Sequence, residues 1–169
     1  DHRDLHLSLR RQRQMCIRDR LKDGYYTRPI ARNVIPLAGN LLDNGYSDEE
    51  MKFVNESKKI LGIPELVVEP SNARVGVRTG HGVFCSAVFE KNINTDEAID
   101  ELNNFEGVQY WSETLATPLD AENNYDVLVS RLRIGLSSPK IINFWCVSDN
   151  LLKGAALNAV QIAKYLIQK

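Results

Sequence analysis

Two β-branched, apolar runs, Val127 to Ile134 and Ile141 to Val147, stand only six residues apart. That spacing constrains the fold more than any other feature of the chain. Runs of this length, rich in Val and Ile, read as strands, and the Gly135 to Lys140 segment between them suits a hairpin loop. The second run is apolar at nearly every position, so it needs cover on both faces.

Capped helices alternate with shorter strand-like runs elsewhere. Ser47 followed by Asp48, Glu49 and Glu50 is a capping box with acidic residues at the positive end of the helix dipole, and Gly62 and Pro64 close that helix. On its wheel Phe53, Val54, Ile60 and Leu61 form the predicted buried side, with Lys52, Glu56 and Lys59 on a neighbouring polar face. Glu56 and Lys59 can therefore act together on one ligand. The plainer reading is an i,i+3 surface ion pair worth a few tenths of a kcal/mol. After Pro64, strands are expected at Leu66 to Val68, Ala73 to Val77 and Val83 to Phe89, the last apolar on both faces. Thr95, Asp96 and Glu97 cap a second helix through Ala98, Leu102 and Phe105. Residues 108 to 126 read as a turn-rich surface excursion. Asp149 and Asn150 lead into a last helix whose Ala155, Ala159, Ile162 and Leu166 share one apolar face. Helices following strands are the α/β habit.

Composition narrows the function classes. At 169 residues, 43% hydrophobic and 25% charged, the chain is an ordinary globular domain. No apolar run approaches the roughly 20 residues of a membrane span, so no membrane partner is expected. A net charge of −1 argues against a dedicated nucleic-acid binder. Three cysteines, Cys16, Cys85 and Cys146, are odd in number and widely spaced, which suits reduced thiols, a cytoplasmic location and no metal site. Residues 1 to 20 stand apart, with six arginines against three aspartates and a net +3, which leaves −4 on the other 149 residues. The run SLRRQRQMCIRDR resembles translated sequencing adapter, and residues 1–20 are read as foreign to a domain that occupies 21–169.

The stretch with the most chemistry is Ala73 to Gly82, ARVGVRTGHG. Its glycines and alternating valines disfavour a helix and suggest strand, turn, strand. Folding back near Thr79 and Gly80 would set Arg74 and His81 on one edge of a hairpin as diagonal neighbours roughly 7–8 Å apart. Arg offers a planar, permanently charged fork for a carboxylate or phosphate, and His passes protons near neutrality. A strand arginine and histidine are more often a surface charge and a satisfied polar group. Spacing alone does not choose between the two readings.

Several separated stretches carry a resemblance that does choose. NVIP (Asn33 to Pro36), NGYSDEEMKFVNESKKILGIP (Asn44 to Pro64), RVGVRTGH (Arg74 to His81), SRLRIGLSSP (Ser130 to Pro139) and VSDNLLKGAALNAVQIA (Val147 to Ala163) resemble, in order, the C-terminal catalytic and dimerisation domain of the aspartate-semialdehyde dehydrogenase family. The resemblance implies an α/β fold of the α+β type, a mixed and largely antiparallel sheet with helices packed on one face. It implies an NADP-dependent enzyme that reduces aspartyl phosphate to aspartate semialdehyde and phosphate, on the route to lysine, methionine and threonine, and that forms a homodimer. The family mechanism runs through a thioacyl intermediate on a cysteine. Position by position, the resemblance makes His81 the acid/base, Arg74 the grip on the substrate carboxylate, Glu56 the acid that holds the substrate amino group, Lys59 the phosphate-binding lysine and Asn150 a cofactor contact.

The departures are equally specific. The family usually has proline where Gly76 stands and often serine where Gly82 stands. Its Gly-rich nucleotide-binding stretch and its Asn-Cys nucleophile are absent from these 169 residues, and none of the three cysteines has matching surroundings. A histidine without a thiol has nothing to activate, so the chain as given is expected to be inactive alone. Two rivals are a related N-acetylglutamyl-phosphate reductase and a stand-alone dimerisation module that kept the fold and lost the chemistry. NESKKILGIP and DNLLKGAALNAVQ favour the first reading over the reductase.

Overall fold

A computed structural model describes residues 26–168, which divide into two compact units meeting at Gly76 and Val77. The expectations for residues 1–20, Cys16 included, lie outside the described residues. In the first unit, strand β1 (Val34–Ile35) pairs antiparallel with β2 (Arg74–Val75), and helix α1 (Asp48–Leu61) lies between them in sequence. Ser47 caps α1 as its local sequence requires. Its Oγ accepts from the Glu50 N–H at 3.1 Å, and the Glu50 carboxylate accepts from the Ser47 N–H at 2.8 Å.

The second unit is built on a four-stranded sheet in the order β3 (His81–Val88), β6 (Ile141–Ser148), β5 (Val127–Ile134), β4 (Val108–Trp111). Both β3–β6 and β6–β5 are antiparallel and β4–β5 is parallel, the mixed, largely antiparallel sheet that was expected. The β5–β6 hairpin is also as expected, with β6 second from the edge. Between Ser130 and Arg133 the register shifts at a bulge where Arg131 takes φ 59°. Helix α2 (Thr95–Asn104) packs on β4 and β5, and the short helix α3 (Pro118–Ala121) packs on β6. After β6 a π-helical turn, Leu152–Ala156, runs into α4 (Leu157–Ile167).

One core cluster gathers on the sheet face that carries Leu128 and Val147, both below 2% exposed, with Ala116 and Ala121, and the half-buried Trp111 and Trp145 pack against it, while Val129 and Ile142 are buried on the opposite face. Burying an aliphatic side chain of this kind is worth about 1.5–3 kcal/mol. Residues 108 to 126 are thus no surface excursion: they supply an edge strand, a helix and two of these four core residues. Two of the four are alanines, Ala116 and Ala121, and small residues announce a core poorly.

Other expectations are corrected by burial and pairing. Strand β3 is covered on one face only, since Phe84 and Val88 are 67% and 75% exposed while Val83, Cys85 and Ala87 are half-buried. The apolar side of α1 is not buried in this chain; Ile60 and Leu61 are largely exposed. The same holds for α4, where Ile162 and Leu166 are exposed. Leu66 to Val68 is not a strand. The N-cap of α2 is Asn94, whose Oδ1 accepts from the Asp96 N–H at 3.0 Å, one residue earlier than the predicted Thr95.

Candidate functional site

Three of the sequence-predicted residues belong to the first unit. Glu56 and Lys59 sit on α1, both exposed, and they form no ion pair with each other; the pair on this helix joins Lys52 to Glu49 at 2.9 Å. Arg74 lies in β2 opposite Ile35, half-buried, with its guanidinium over the Tyr26 ring at 5.5 Å. No carboxylate among the described residues pairs with it, and its guanidinium fork has the shape that takes a carboxylate or phosphate. The Glu50 carboxylate links these elements. One of its oxygens completes the capping box of α1, and the other accepts from the Asn72 N–H at 2.8 Å, two residues before Arg74. Those bonds hold the Glu50 carboxyl below the usual range, the Ser47 N–H contributing most. One carboxylate thus ties the helix of Glu56 and Lys59 to the strand of Arg74.

The remaining two residues belong to the second unit. His81 opens β3, exposed, opposite Ser148 near the end of β6. Asn150 follows β6 two residues later, and its Oδ1 accepts from the Gly80 N–H at 2.8 Å. His81 and Asn150 are therefore neighbours at one end of the sheet. The predicted hairpin of Arg74 with His81 does not form. Strand β2 takes β1 as its partner and β3 takes β6, each a strand distant in sequence.

Asp149 is the residue that sequence reasoning passed over. It is 3% exposed, and its carboxylate accepts from the backbone N–H groups of Asn123 at 2.9 Å, Leu151 at 2.8 Å and Leu152 at 3.2 Å. The Asn123 bond contributes most to holding this carboxyl below the usual range. Its signal was an Asp between a strand and a helix, the pattern of a helix cap. The thiols of Cys85 and Cys146 are both pushed up, chiefly by burial, which makes them poor nucleophiles. An open depression lined by Ser86, Arg133 and Asn143 among others contains none of the predicted residues.

With this geometry in hand, the comparisons with known proteins decide the family. The family model described as semialdehyde dehydrogenase, dimerisation domain, matches residues 9–153. The chain belongs to that family. Among curated members it is 43% identical over 143 residues to the aspartate-semialdehyde dehydrogenase of Streptomyces akiyoshiensis, a match covering 83% of this chain and 42% of the relative. The aspartate-semialdehyde dehydrogenase of Bacillus subtilis is 39% identical over 145 residues. Among solved structures, the aspartate semialdehyde dehydrogenase II of Vibrio cholerae complexed with ASA superposes with a TM-score of 0.82 at 38% identity, covering 85% of this chain and 44% of that one. The chain thus spans less than half the length of these semialdehyde dehydrogenase relatives.

A dehydrogenase of this family implies a nicotinamide cofactor, and one observation bears on whether the residues here fit it. Asn150 is half-buried, its Oδ1 is engaged by Gly80, and its Nδ2 has no partner among the described residues. An amide in that state can donate to a polar group of a nucleotide.

Proposed function

We propose that this chain is the C-terminal part of an aspartate-semialdehyde dehydrogenase, acting with NADP in the cytoplasm as a homodimer. The carrying observation is the 43% identity to relatives of that name, with every residue of the expected set present in the described structure. Arg74, a guanidinium on a short strand with no carboxylate partner among the described residues, binds the substrate carboxylate; Glu56 takes its ammonium group and Lys59 its phosphate. His81, exposed at the start of β3, gives and takes the proton at the reacting carbon's oxygen or sulfur. Asn150 holds the cofactor through Nδ2. NADPH, when bound, supplies the hydride. The thiol nucleophile comes from residues beyond these 169, in keeping with the burial that raises Cys85 and Cys146. No helix of the described residues is long and apolar enough to cross a membrane.

The test is a hybrid enzyme. Residues 33–169 replace the matching part of the Streptomyces akiyoshiensis relative, and the purified hybrid is assayed for phosphate-dependent reduction of NADP by aspartate semialdehyde. Turnover is expected. A hybrid that is dimeric and cooperatively folded yet inactive with aspartate semialdehyde overturns the reading, and activity with N-acetylglutamate semialdehyde instead would favour the reductase rival.

A further inference from the structure

We propose that Asn150 is a positioning residue for His81: its Oδ1 holds the Gly80 N–H and so fixes the peptide that carries the histidine into β3. This rests on the reading of His81 as the acid/base, and it adds to the cofactor contact already assigned to Asn150. Gly80 is buried and adopts φ +100°, a conformation that L side chains rarely take. A Cβ there would meet Pro118 and the Ser148 carbonyl oxygen at 3.4 Å, so the turn is packed from α3 and from β6. A buried N–H in such a turn requires an acceptor, and Asn150 Oδ1 at 2.8 Å, 70 residues away in sequence, is the one it has. Because the partner is a donor, the oxygen rather than the nitrogen of the amide must face Gly80.

Asn150 is itself held in place. The Asp149 carboxylate beside it accepts from Asn123 in the loop after α3, from Leu151, which caps the π-helical turn, and from Leu152, its first residue. The path from these backbone groups to His81 therefore runs through Asp149, Asn150 and Gly80, each step a hydrogen bond or a peptide bond. One amide consequently does two jobs on opposite sides. Its oxygen sets where His81 starts its strand, and its nitrogen remains available to a ligand. A cofactor that pulls on Nδ2 thereby acts on the same side chain that orients the acid/base.

The test uses the full 169-residue chain and amide hydrogen exchange by NMR, with Asn150→Ala and Asn150→Asp as variants. The aspartate keeps an acceptor for Gly80 and loses the Nδ2 donor. In the native chain the Gly80 amide is expected to exchange slowly. Exchange is expected to rise about tenfold in N150A, the scale of one lost hydrogen bond, and to stay within roughly threefold of native in N150D. The amides of Leu128 and Val147 should keep their native rates in both variants, while the His81 amide resonance shifts in N150A. A native Gly80 amide exchanging as an unprotected glycine, or an N150A rate equal to the native one, overturns the proposal. If N150A fails to fold, the native and N150D rates still decide. The measurement needs no substrate, so an inactive hybrid with Gly80 protected would sink the enzyme reading alone, and an active hybrid with Gly80 unprotected would sink the positioning role alone.

Discussion

Gly82→Ser is the substitution whose outcome the structure determines most sharply. The family resemblance places serine here, yet a Cβ built at Gly82 would overlap the six-membered ring of Trp145. That ring is the far end of a side chain, and it could swing aside if nothing held it. Three things hold it: its Nε1–H donates to the Ala116 carbonyl at 2.7 Å, its ring lies 4.6 Å from that of Phe84, and it packs against the buried Leu128 and Val147 cluster. Overpacking a filled site costs about 1–3 kcal/mol. Displacing the indole adds about 1 kcal/mol for the lost hydrogen bond and up to about 1 for the ring pair. The expected destabilisation is therefore about 2–5 kcal/mol. In urea it reads as a midpoint lowered by roughly 1–2 M at an ordinary slope. Tryptophan fluorescence is the probe, since both tryptophans, Trp111 and Trp145, lie in the affected unit. Adding Trp145→Leu should make the serine cheaper, with a coupling of at least about 1 kcal/mol in the double-mutant cycle. A single Gly82→Ser change costing under about 0.5 kcal/mol, with unaltered fluorescence, would refute the reasoning. On this account Gly82 and Trp145 are a matched pair: the residue that departs from the family is glycine because the indole occupies its side-chain volume.

Three further outcomes follow from the described residues. In the hybrid enzyme Arg74→Lys should raise KM for aspartate semialdehyde by roughly 10- to 100-fold, because a point charge replaces a bidentate fork; an unchanged KM would remove Arg74 from the carboxylate role. The Asp149 carboxyl titrates lower folded than unfolded, so the stability it contributes is present above the ordinary Asp value of about 4 and lost as pH falls below it. Melting temperature should therefore fall between about pH 5 and pH 3, and Asp149→Asn should flatten part of that fall while lowering the neutral-pH melting temperature. Cys85 and Cys146, raised by burial, should react with a thiol reagent much faster in denaturant than in the native chain, which absorbance at one wavelength follows.

The sequence was most legible where structure is made locally. The Ser47–Glu50 capping box and the β5 and β6 runs carry their own chemistry, and each element stands within a residue of its predicted place. It was least legible where partners are distant. Arg74 finds Ile35 and His81 finds Ser148, pairings with distant strands that the glycines beside them do not announce. Phe84 and Val88 misled for a related reason: apolar residues on both sides of a strand read as double cover, and here one side is left exposed. Ala116, Ala121 and Ser130 form core and near-core contacts without any hydrophobic pattern to mark them; Ser130 is buried because its Oγ accepts from the Ala116 N–H at 3.2 Å. The candidate residues were identified by resemblance, while the bonds that hold them, Glu50 to Asn72 and Asn150 to Gly80, span 22 and 70 residues and leave no trace in spacing.

The most direct measurement is kcat for the hybrid enzyme with His81 intact and with His81→Asn, using aspartate semialdehyde, phosphate and NADP across pH. The expected result is a loss of roughly 10²–10⁴-fold in kcat in the variant, with KM for the semialdehyde little changed and one limb of the pH profile gone. A variant that keeps its kcat and its pH profile would contradict the assignment of His81, and with it the reading of this chain as the part of the dehydrogenase that supplies the proton.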